Sequence, residues 1–561
     1  MKNIKLLAAL AAIILLGFSG CDNKKDDPTP STPTMSGLTV TGSEKVFKAT
    51  LVFNEAVYAK ADKTGGLTNE SFILSITGES ILIENSSVTH TAGQKSCNID
   101  ITLSNYPASD AVLNIKPKTA KSIYSESGIA MSADESIEGS FTGNVIIIKD
   151  TGNGTGTTTW TANNTYVLDG LVFVNNTQTL TIEAGTVIVG KSGQGEEASA
   201  LIVARGGKIM AEGTAEAPII FTAEADDLNG SVADLDDGLW GGVIILGKAI
   251  INTVPNEQQI EGIPQTEPRG VYGGTDDNDN SGILRYVSIR HGGTDIGEGN
   301  EINGLTLGAV GSQTIIEYIE VIANKDDGVE FFGGKPNLSH IIVAFCGDDS
   351  FDYDQGFRGN GQFWAAIQGF DRGDRLGEHD GGTSPETGEP YAIPTIYNVT
   401  YLGRDEGAGK RLITFRDNAG GHYANSIFYN QAKGIDIELL ADQCSYTQFS
   451  NDNLSIKNNY FYAIGADPIL KVSVGDGVDP VVEEEANSTI AAYFTVAQNE
   501  IYDPGFNVTS DRFNIIPTND VSGNMATTPT DTFFINVNYK GAFKPGDNWA
   551  TGWTLVSKFM E

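Results

Sequence analysis

The feature that most constrains the fold of this chain is an internal repeat between residues 315 and 359. When this stretch is laid on itself with a shift of about 22 residues, Asp327 falls on Asp349 and Glu330 falls on Asp352. The runs beside these acids alternate apolar and polar residues, as short β-strands do, and the corners carry Asp, Asn and Gly. Such a unit cannot bury its own apolar side and must stack on the next copy. The repeat therefore predicts a parallel β-helix, in which equivalent corners lie about 4.8 Å apart along the axis.

Length and charge limit the remaining possibilities. A chain of 561 residues is too long for one compact core, so we expect several domains, or one domain and a long solenoid. With 72 acidic and 36 basic residues the net charge is −36, which makes nucleic acid a poor partner. Divalent cations, and neutral or cation-bridged glycans, suit this surface better. The alternative is that the acidity only keeps an exported protein soluble.

The cysteines and histidines indicate neither a disulfide framework nor a structural zinc. Cys21 is assigned to a lipid anchor below, which leaves Cys97, Cys346 and Cys444 as an odd number spread over two predicted domains. The five histidines are scattered, and no Cys/His cluster has the spacing of a zinc site. We also expect no organic cofactor, because the Gly-rich segments lack the strand-to-helix context of a phosphate-binding loop.

The N-terminus predicts export. Residues 1–20 have a basic start, an apolar run that is short for a membrane-spanning helix, and small residues before Cys21. Ser19-Gly20-Cys21 resembles a bacterial lipobox, with Phe18 in place of the usual Leu; the resemblance implies cleavage before Cys21 and lipidation of its thiol. The alternative is an ordinary cleaved signal peptide.

The segment 21–36 is predicted to be a flexible tether behind the lipid anchor. Its first residues, at 22–27, are mostly charged and include three Asp, and a Pro/Thr/Ser-rich stretch follows. A short acidic run at this place resembles the signal that carries Bacteroidetes lipoproteins to the outer face of the outer membrane. We therefore expect a lipid-anchored outer-membrane protein that faces the cell exterior.

Residues 37–145 alternate apolar and polar residues in short runs with turn signals between them, which predicts a β-sandwich. The predicted strands are at 48–53, 71–76, 98–103 and 111–115. Their order resembles bacterial Ig-like domains of the kind found in surface-layer proteins, which implies a spacer; binding of glycan or protein is the alternative. The Gly/Thr-rich residues 146–159 are predicted to be a linker.

Residues 160–561 are predicted to form the β-helix. The apolar runs at 167–174, 178–190 and 200–213 resemble the opening coils of right-handed β-helix proteins of the pectate-lyase-like class. Polar insertions at 225–238, 253–282 and 371–394 are expected to leave the stack and to border any site. Residues 238–247 and the C-terminal segment resemble an uncharacterised family of bacterial surface β-helix proteins, and we expect Trp549 and Trp553 to cap the end of the solenoid. The predicted fold is thus all-β: an Ig-like sandwich followed by a right-handed parallel β-helix.

The acids of the repeat are candidate metal ligands. Like charges stacked one coil apart repel each other unless water screens them, one is protonated, or a cation lies between them. Calcium fits such a set, because it takes six to eight oxygen ligands in a flexible shell. The predicted ligands are Asp327, Asp349, Glu330 and Asp352. The alternative is a solvated acidic ladder whose Asp side chains cap turns.

A catalytic use of this region is a second hypothesis. The layout resembles a β-helix polysaccharide lyase, which implies calcium on the substrate carboxylate and a basic residue that removes a proton. The candidate bases are Arg358, Arg372, Arg375, Arg404, Lys410, Arg411 and Arg416. A hydrolase would instead use paired carboxylates, Asp348 with Asp349 or Asp371 with Asp374.

These observations favour a surface lipoprotein that acts as a non-catalytic binding or structural module. The expected partners are the membrane, through the lipid, and glycans or other surface proteins. The alternative function is a polysaccharide lyase or glycoside hydrolase that acts on acidic polysaccharide, and a purely architectural role is a third possibility.

Overall fold

The computed structural model describes residues 32–43, 45–77, 81–104, 107, 111–142, 144–297, 300–382 and 384–561. The predicted signal peptide, Cys21 and most of the predicted tether lie outside these residues. The regular secondary structure of the described chain is mainly β-strand, and the chain forms two compact units, the first chiefly 47–104 and 112–140 and the second chiefly 141–561. The predicted all-β class is confirmed.

The first unit is a seven-stranded sheet in which Val112–Pro117 pairs antiparallel with the strand on each side, and Ile83–Thr89 pairs antiparallel with Ser96–Leu103. Alternate residues of Val46–Phe53 and Ser96–Leu103 are buried, so one face of each strand forms the core. Its first strand begins at Met35, inside the segment predicted to be a tether. The strands are Met35–Ser43, Val46–Phe53, Phe72–Thr77, Ile83–Thr89, Ser96–Leu103, Val112–Pro117 and Ile137–Thr142, with a separate pair Val57–Tyr58 and Tyr124–Ser125. The four predicted strands are present; the Ig-like assignment stays a prediction.

The second unit is a right-handed parallel β-helix in which each coil passes through three faces. The first and second faces share one 18-stranded sheet that folds along a corner, and the third face is a ten-stranded sheet. In the first and second faces the strands are Asn144–Ile148, Thr158–Trp160, Asn164–Leu168, Thr179–Ile182, Val187–Gly190, Lys208–Glu212, Ile219–Ala223, Gly282–Arg290, Ile315–Ile322, Asn337–Ala344, Asn360–Ile367, Thr395–Tyr397, Thr400–Leu402, Gly421–Ala424, Ile427–Gln431, Leu454–Lys457, Tyr460–Ile464 and Glu500–Ile501. In the third face they are Leu171–Val174, Ala200–Val203, Val243–Leu246, Leu305–Gly308, Val329–Phe332, Phe351–Asp354, Gly377–Asp380, Arg411–Arg416, Lys433–Leu439 and Leu470–Val474.

The repeat read from the sequence sets the register of the central coils. Ile319 pairs with Ile341 and Glu330 pairs with Asp352, as the 22-residue shift predicts. At the corner between the first and second faces, stacked rings follow one another, with centroids 4.4 Å apart for Tyr286 and Tyr318 and 4.3 Å apart for Tyr318 and His340. These residues have positive φ, which turns the strand sharply from one face into the next.

The solenoid begins earlier than predicted. Asn144–Ile148 pairs in parallel with Asn164–Leu168, so the first strand of the β-helix lies partly inside the segment 146–159 that was predicted to be a linker. The Gly-rich turn that follows is held by Asp150, which accepts hydrogen bonds from the backbone N–H groups of Gly152 and Gly154 at 2.7 and 2.9 Å. The glycines thus form an ordered turn and not a free hinge.

The far end of the solenoid is covered by a helix and not by the two tryptophans. Helix Pro480–Val496 begins after Asp479, whose side chain accepts from the N–H of Val481, and its Ala486 and Ile490 are buried in the solenoid core. Trp549 and Trp553 instead lie edge-on against the ring stack at the corner of the central coils, 5.3 Å from His340 and 5.4 Å from Tyr286. The predicted tryptophan cap was wrong, because the two rings pack instead on the aromatic ring stack at the side of the solenoid.

The remaining elements are short. Two more helices lie at Ser445–Ser450 and Ser557–Met560, 3-10 turns at Asn69–Ser71, Gly195–Glu197 and Pro268–Gly270, and strand pairs at Glu257–Gln259 with Val271–Gly273, Asp295–Gly297 with Asn300–Glu301, and Asn507–Val508 with Phe513–Asn514. Among the described residues, none of the helices is long and apolar enough to span a membrane. Cys97, Cys346 and Cys444 are free and buried.

Of the three predicted insertions, 225–238 leaves the stack in full, and 253–282 does so up to Gly282, where a strand of the solenoid begins. Residues 247–281, here called the hairpin insertion, pack Ile251, Ile260 and Tyr272 on the outer side of the third face. The predicted insertion 371–394 is different, because Gly377–Asp380 pairs with strands on both sides and belongs to the third face. Only the residues after it leave the solenoid.

Candidate functional site

The acids of the repeat lie on the outer side of the third face, where consecutive strands place them in one row. Within each strand the side chains alternate, so Val329 and Phe331 point into the core and Glu330 points outward. Glu330 pairs with Asp352, and Asp352 pairs with Glu378 on the next coil. The row therefore continues one coil beyond the repeat that the sequence revealed.

Asp327, Glu330 and Asp352 converge in what we call the acidic cluster, together with Glu261 of the hairpin insertion. One carboxylate oxygen from each of the first three lies within 4.8 Å of the others. Glu261 is hydrogen-bonded to Glu330, and the amide nitrogen of Asn303 donates to both glutamates, at 3.0 Å to Glu261 Oε1. Asp327 and Glu330 are each only 8 % exposed, while Asp352 and Glu261 are half-buried.

Burial raises the pKa of each carboxyl group in the acidic cluster; neighbouring acids raise it further for Asp327, Glu330 and Asp352, whereas the hydrogen bonds of Glu261 with Glu330 and Asn303 oppose the shift of Glu261. For Glu330 the neighbours are Glu261 and Asp352, and for Asp352 they include Asp327. The pKa of Asp327 is raised in the same way, and a hydrogen bond from the N–H of Asp349 opposes the shift. The site therefore holds protons more tightly than free carboxylates do, unless a cation takes their place.

Asp349 belongs to the corner and not to this cluster. Each corner acid accepts a backbone N–H from the next coil: Asp327 accepts from Asp349 at 2.8 Å, and Asp349 accepts from Arg375. Asp349 is 1 % exposed, and its other oxygen is 3.4 Å from the guanidinium group of Arg375. Of the four predicted metal ligands, the structure brings three together and gives Asp349 other partners.

One coil further along, the outward acids are paired with arginine. This arginine-paired cluster consists of Asp349, Glu378, Asp380, Arg375 and Arg416. Arg416 is 2.8 Å from Glu378 and 2.6 Å from Asp380, and Arg375 is 3.1 Å from Glu378. Burial still raises the pKa of Asp380, although the hydrogen bonds of Arg416 oppose this.

Two of the seven candidate bases, Arg358 and Arg404, hold loops in place. Arg358 forms a bidentate pair with Asp277 of the hairpin insertion, at 2.7 and 3.1 Å, and donates to the carbonyl oxygen of Ile250. Arg404 donates to the carbonyl oxygens of Gly373 and Phe370 at 3.0 and 3.3 Å. Their positive charges serve contacts between the solenoid and its turns.

Of the two carboxylate pairs proposed for a hydrolase, Asp348 with Asp349 is split by the corner. Asp348 is exposed and Asp349 is buried, yet one oxygen of each lies within 4.8 Å of the other and of Asp374. Burial raises the pKa of Asp348, and Asp374 raises it further. Asp374 is in turn bound by Lys410 at 3.1 Å.

Sequence reasoning missed a third copy of the corner. Residues 373–380, GDRLGEHD, repeat residues 347–354, GDDSFDYD, with a shift of 26 residues because the preceding turn is longer. Arg375 therefore occupies the place that Asp327 and Asp349 occupy in the coils before it. Glu261 and Asn303 had no such signal, because the hairpin insertion has no repeat partner.

The fold and the outward row of acids define a parallel β-helix protein with a charged third face. A family model described as a pectate-lyase-like β-helix domain matches residues 152–554, so the chain belongs to this family.

Two further comparisons add no function. No curated protein matches the chain. Among solved structures, the family 28 exopolygalacturonase of Yersinia enterocolitica is 12% identical over 80% of this chain and 88% of that chain, with a TM-score of 0.22. At this TM-score the similarity carries no conclusion about activity.

Proposed function

We propose that this protein is a cell-surface lipoprotein whose β-helix is a non-catalytic binding or structural module for glycans or neighbouring surface proteins. A lipid on Cys21 anchors it in the outer membrane, with the body facing the exterior. Calcium, bound by acids of the third face, stabilises the module; the set predicted from the sequence is Asp327, Glu330, Asp349 and Asp352.

The contacts of the candidate bases favour the binding function over the lyase function. Arg358 and Arg404 are engaged with Asp277 and with backbone carbonyl oxygens, and Arg375 faces several carboxylates. A lyase needs a base that is free to approach the proton beside the substrate carboxylate. A binding face needs only polar groups that are oriented and reachable by a ligand.

The reachable part of the third face suits a polyhydroxylated ligand. The side chain of Arg416 is 39% exposed and that of Lys410 is 36% exposed, beside Glu378 and Asp380, which are each 15% exposed. Carboxylates and guanidinium groups fixed by mutual ion pairs offer acceptors and donors in fixed directions, which match the hydroxyl groups of a sugar chain.

A glycan array with the chain from Asp22 onward tests the binding function. We expect binding to acidic or neutral glycans in calcium, and we expect R416A to weaken it because this change removes an exposed donor of the face. The matched control is R285A, since Arg285 is similarly ion-paired, to Glu317 and Glu212, outside the third face. Equal loss in both variants, or no binding to any glycan or surface protein, would contradict this function.

Cleavage of acidic polysaccharide is the second candidate function. It is supported by the convergence of Asp348, Asp349 and Asp374 and by the raised pKa of Asp348, since an acid that keeps its proton is what a hydrolase donates. Mass spectrometry of polysaccharides incubated with the protein and calcium would reveal released fragments. Fragments that disappear with D348N would replace the binding function with this one.

The anchor is tested by changing Cys21. We expect C21A to leave the membrane fraction, because a thiol is the only attachment point for the lipid that the lipobox resemblance implies. Protease added to intact cells should degrade the wild-type body if it faces the exterior. Retention of C21A in the membrane, or full protection from protease, would contradict the proposed location.

A further inference from the structure

We propose that the acidic cluster is a calcium site built by Asp327, Glu330 and Asp352, without Asp349, and that Glu261 couples it to the hairpin insertion. This rests on the calcium part of the proposed function and is independent of any glycan. It assigns a role to an insertion residue that has no counterpart in the repeat.

The distances fit one ion shared by two coils. Calcium binds oxygen at about 2.3 to 2.6 Å, so two oxygens on the same ion are at most about 5 Å apart. The oxygens of Asp327, Glu330 and Asp352 lie within 4.8 Å of one another, which allows all three to touch one ion. Asp349 has an oxygen on the N–H of Arg375 and another 3.4 Å from its guanidinium group, so it is already engaged.

Two polar atoms at the cluster have no hydrogen-bond partner in the described part of the chain. Asp352 Oδ1 is buried and unpartnered, and so is Oδ1 of Asn303, a residue that is only 1 % exposed. The amide nitrogen of Asn303 contacts Glu330 and Glu261, so its head group lies at the cluster, and a rotation of the amide would turn its oxygen toward the acids. A buried oxygen without a donor is costly, and a cation is the partner that suits it.

The acidic cluster also has no basic partner to do this work. In the part of the chain that the structure describes, no Lys or Arg nitrogen lies within ion-pair distance of Asp327, Glu330, Asp352 or Glu261, whereas Glu378 and Asp380 one coil away are paired with Arg375 and Arg416. Four neighbouring carboxyl groups must then hold protons or bind an ion. Calcium suits half-buried carboxylates and an amide oxygen, while magnesium needs stricter octahedral geometry and zinc prefers nitrogen and sulfur.

Glu261 links this site to the hairpin insertion. It follows Ile260, which is buried against the third face, and it contacts both Glu330 and Asn303. An ion that binds Glu330 also replaces the proton that Glu330 and Glu261 otherwise share in their hydrogen bond. Calcium therefore fixes the insertion on the solenoid through Glu261, which is a positioning residue for the site.

The experiment is calorimetric titration of calcium chloride into the chain from Asp22 onward, with limited proteolysis of the hairpin insertion in calcium and in EGTA. We expect one ion per chain, no binding in D352N or E330Q, and binding weakened roughly 10- to 100-fold in E261Q, which is typical for loss of an outer partner. Calcium should protect the insertion in the wild type and not in E261Q. The matched controls are E257Q on the same insertion, where Glu257 pairs with Arg205, and D374N in the neighbouring coil.

The outcomes separate this inference from the glycan function. Calcium binding that D352N abolishes supports the site, even if no glycan binds. Binding that D374N abolishes and D352N leaves intact would overturn it, as would no calcium binding by a folded wild type. If E261Q binds calcium and keeps its protection, the coupling to the insertion is wrong. Loss of binding in D352N counts only if circular dichroism shows a folded chain; E330Q provides the second test.

Discussion

On the coils of Glu330 and Asp352, four carboxyl groups lie together without a basic partner among the described residues. One coil further along, Glu378 is paired with Arg375 and Arg416, and Asp380 with Arg416. Both groups stand on the same sheet, at equivalent positions, and both are partly buried. The difference arises at two places: the corner position reads Asp327, Asp349 and then Arg375, and Arg416 stands opposite Asp380 on the next strand of the third face. The β-helix thus fixes the positions of the acidic side chains. Single residues decide whether arginines of the same coil neutralise these acids or whether the acids must hold protons or bind cations.

The largest expected effect comes from removing the arginine that distinguishes the two clusters. R375A leaves Asp349, Asp374 and Glu378 without their shared cation, and breaking one side of a buried ion pair costs about 3 kcal/mol. Thermal unfolding at pH 7.5 measures the loss. R205A, which removes an exposed pair with Glu257, is the control and should cost less than about 1 kcal/mol. If R375A unfolds at the same temperature as the wild type, Arg375 does not compensate the charges of these acids.

Calcium should act on the acidic cluster alone. At a concentration about 100 times the dissociation constant, binding to the folded state stabilises it by about 2.7 kcal/mol, and EGTA should remove this gain. We expect the melting temperature to rise in wild type and in D374N, and not in E330Q. Equal stabilisation of all three proteins would place the calcium effect elsewhere in the molecule.

The pH dependence should also separate the clusters. Burial raises the pKa of Asp327, Glu330 and Asp352 in the folded state. Their contribution to stability is fully present below the ordinary pKa values of 3.8 for Asp and 4.5 for Glu, and it is lost as the pH rises through the pKa values of the folded state. In EGTA, wild-type stability should therefore fall as the pH rises above these ordinary values, because each group that keeps its proton only in the folded state lowers the free energy of unfolding by about 1.4 kcal/mol for every rise of one in pH.

The window and the control for this measurement follow from the histidines. Burial lowers the pKa of His340 to about 4, so its own contribution has levelled off above pH 6.5. E330Q removes one titrating acid and should show a smaller fall than wild type. An identical pH profile in the two proteins would mean that the acidic cluster does not titrate in this range.

The smallest expected effects are of opposite sign in the two clusters. In EGTA at pH 7.5, D352N removes one of several repelling acids and should stabilise the protein by about 1 kcal/mol. D380N removes a partner of Arg416, at 2.6 and 3.0 Å, and should destabilise it by a similar amount. Both changes keep the shape of the side chain, so thermal unfolding compares the charges. The same sign for both would remove the distinction between the clusters.

The repeat allowed the fold and part of the candidate site to be predicted from the sequence. A shift of 22 residues placed Asp327 beside Asp349 and Glu330 beside Asp352, and both placements hold in the third face. The third copy, with Arg375, was within reach of the same method but was hidden by a longer turn and by different residues at five of its eight positions. Periodicity is visible in sequence because each coil must present the same pattern to its neighbours.

The contacts made by insertions and by the C-terminal segment were not readable. The sequence indicated Arg358 as a candidate base, but the structure pairs it with Asp277. The spacing of these two residues in the sequence did not predict the pair. Trp549 and Trp553 were expected at the end of the solenoid and lie instead on the rings of Tyr286, Tyr318 and His340. Such contacts join segments without a shared period, so only the folded chain shows them.

The sequence by itself determined the parallel β-helix, the register of its central coils and the row of acids on one face, because stacking forces a local pattern to repeat. The tertiary structure decided which of those acids stand alone. Glu261 and Asn303 reach the acidic cluster from outside the repeat, and Arg375 and Arg416 neutralise the next coil. Charge compensation depends on distances of a few ångströms between groups that are far apart in the chain, and the packing of the insertions sets those distances.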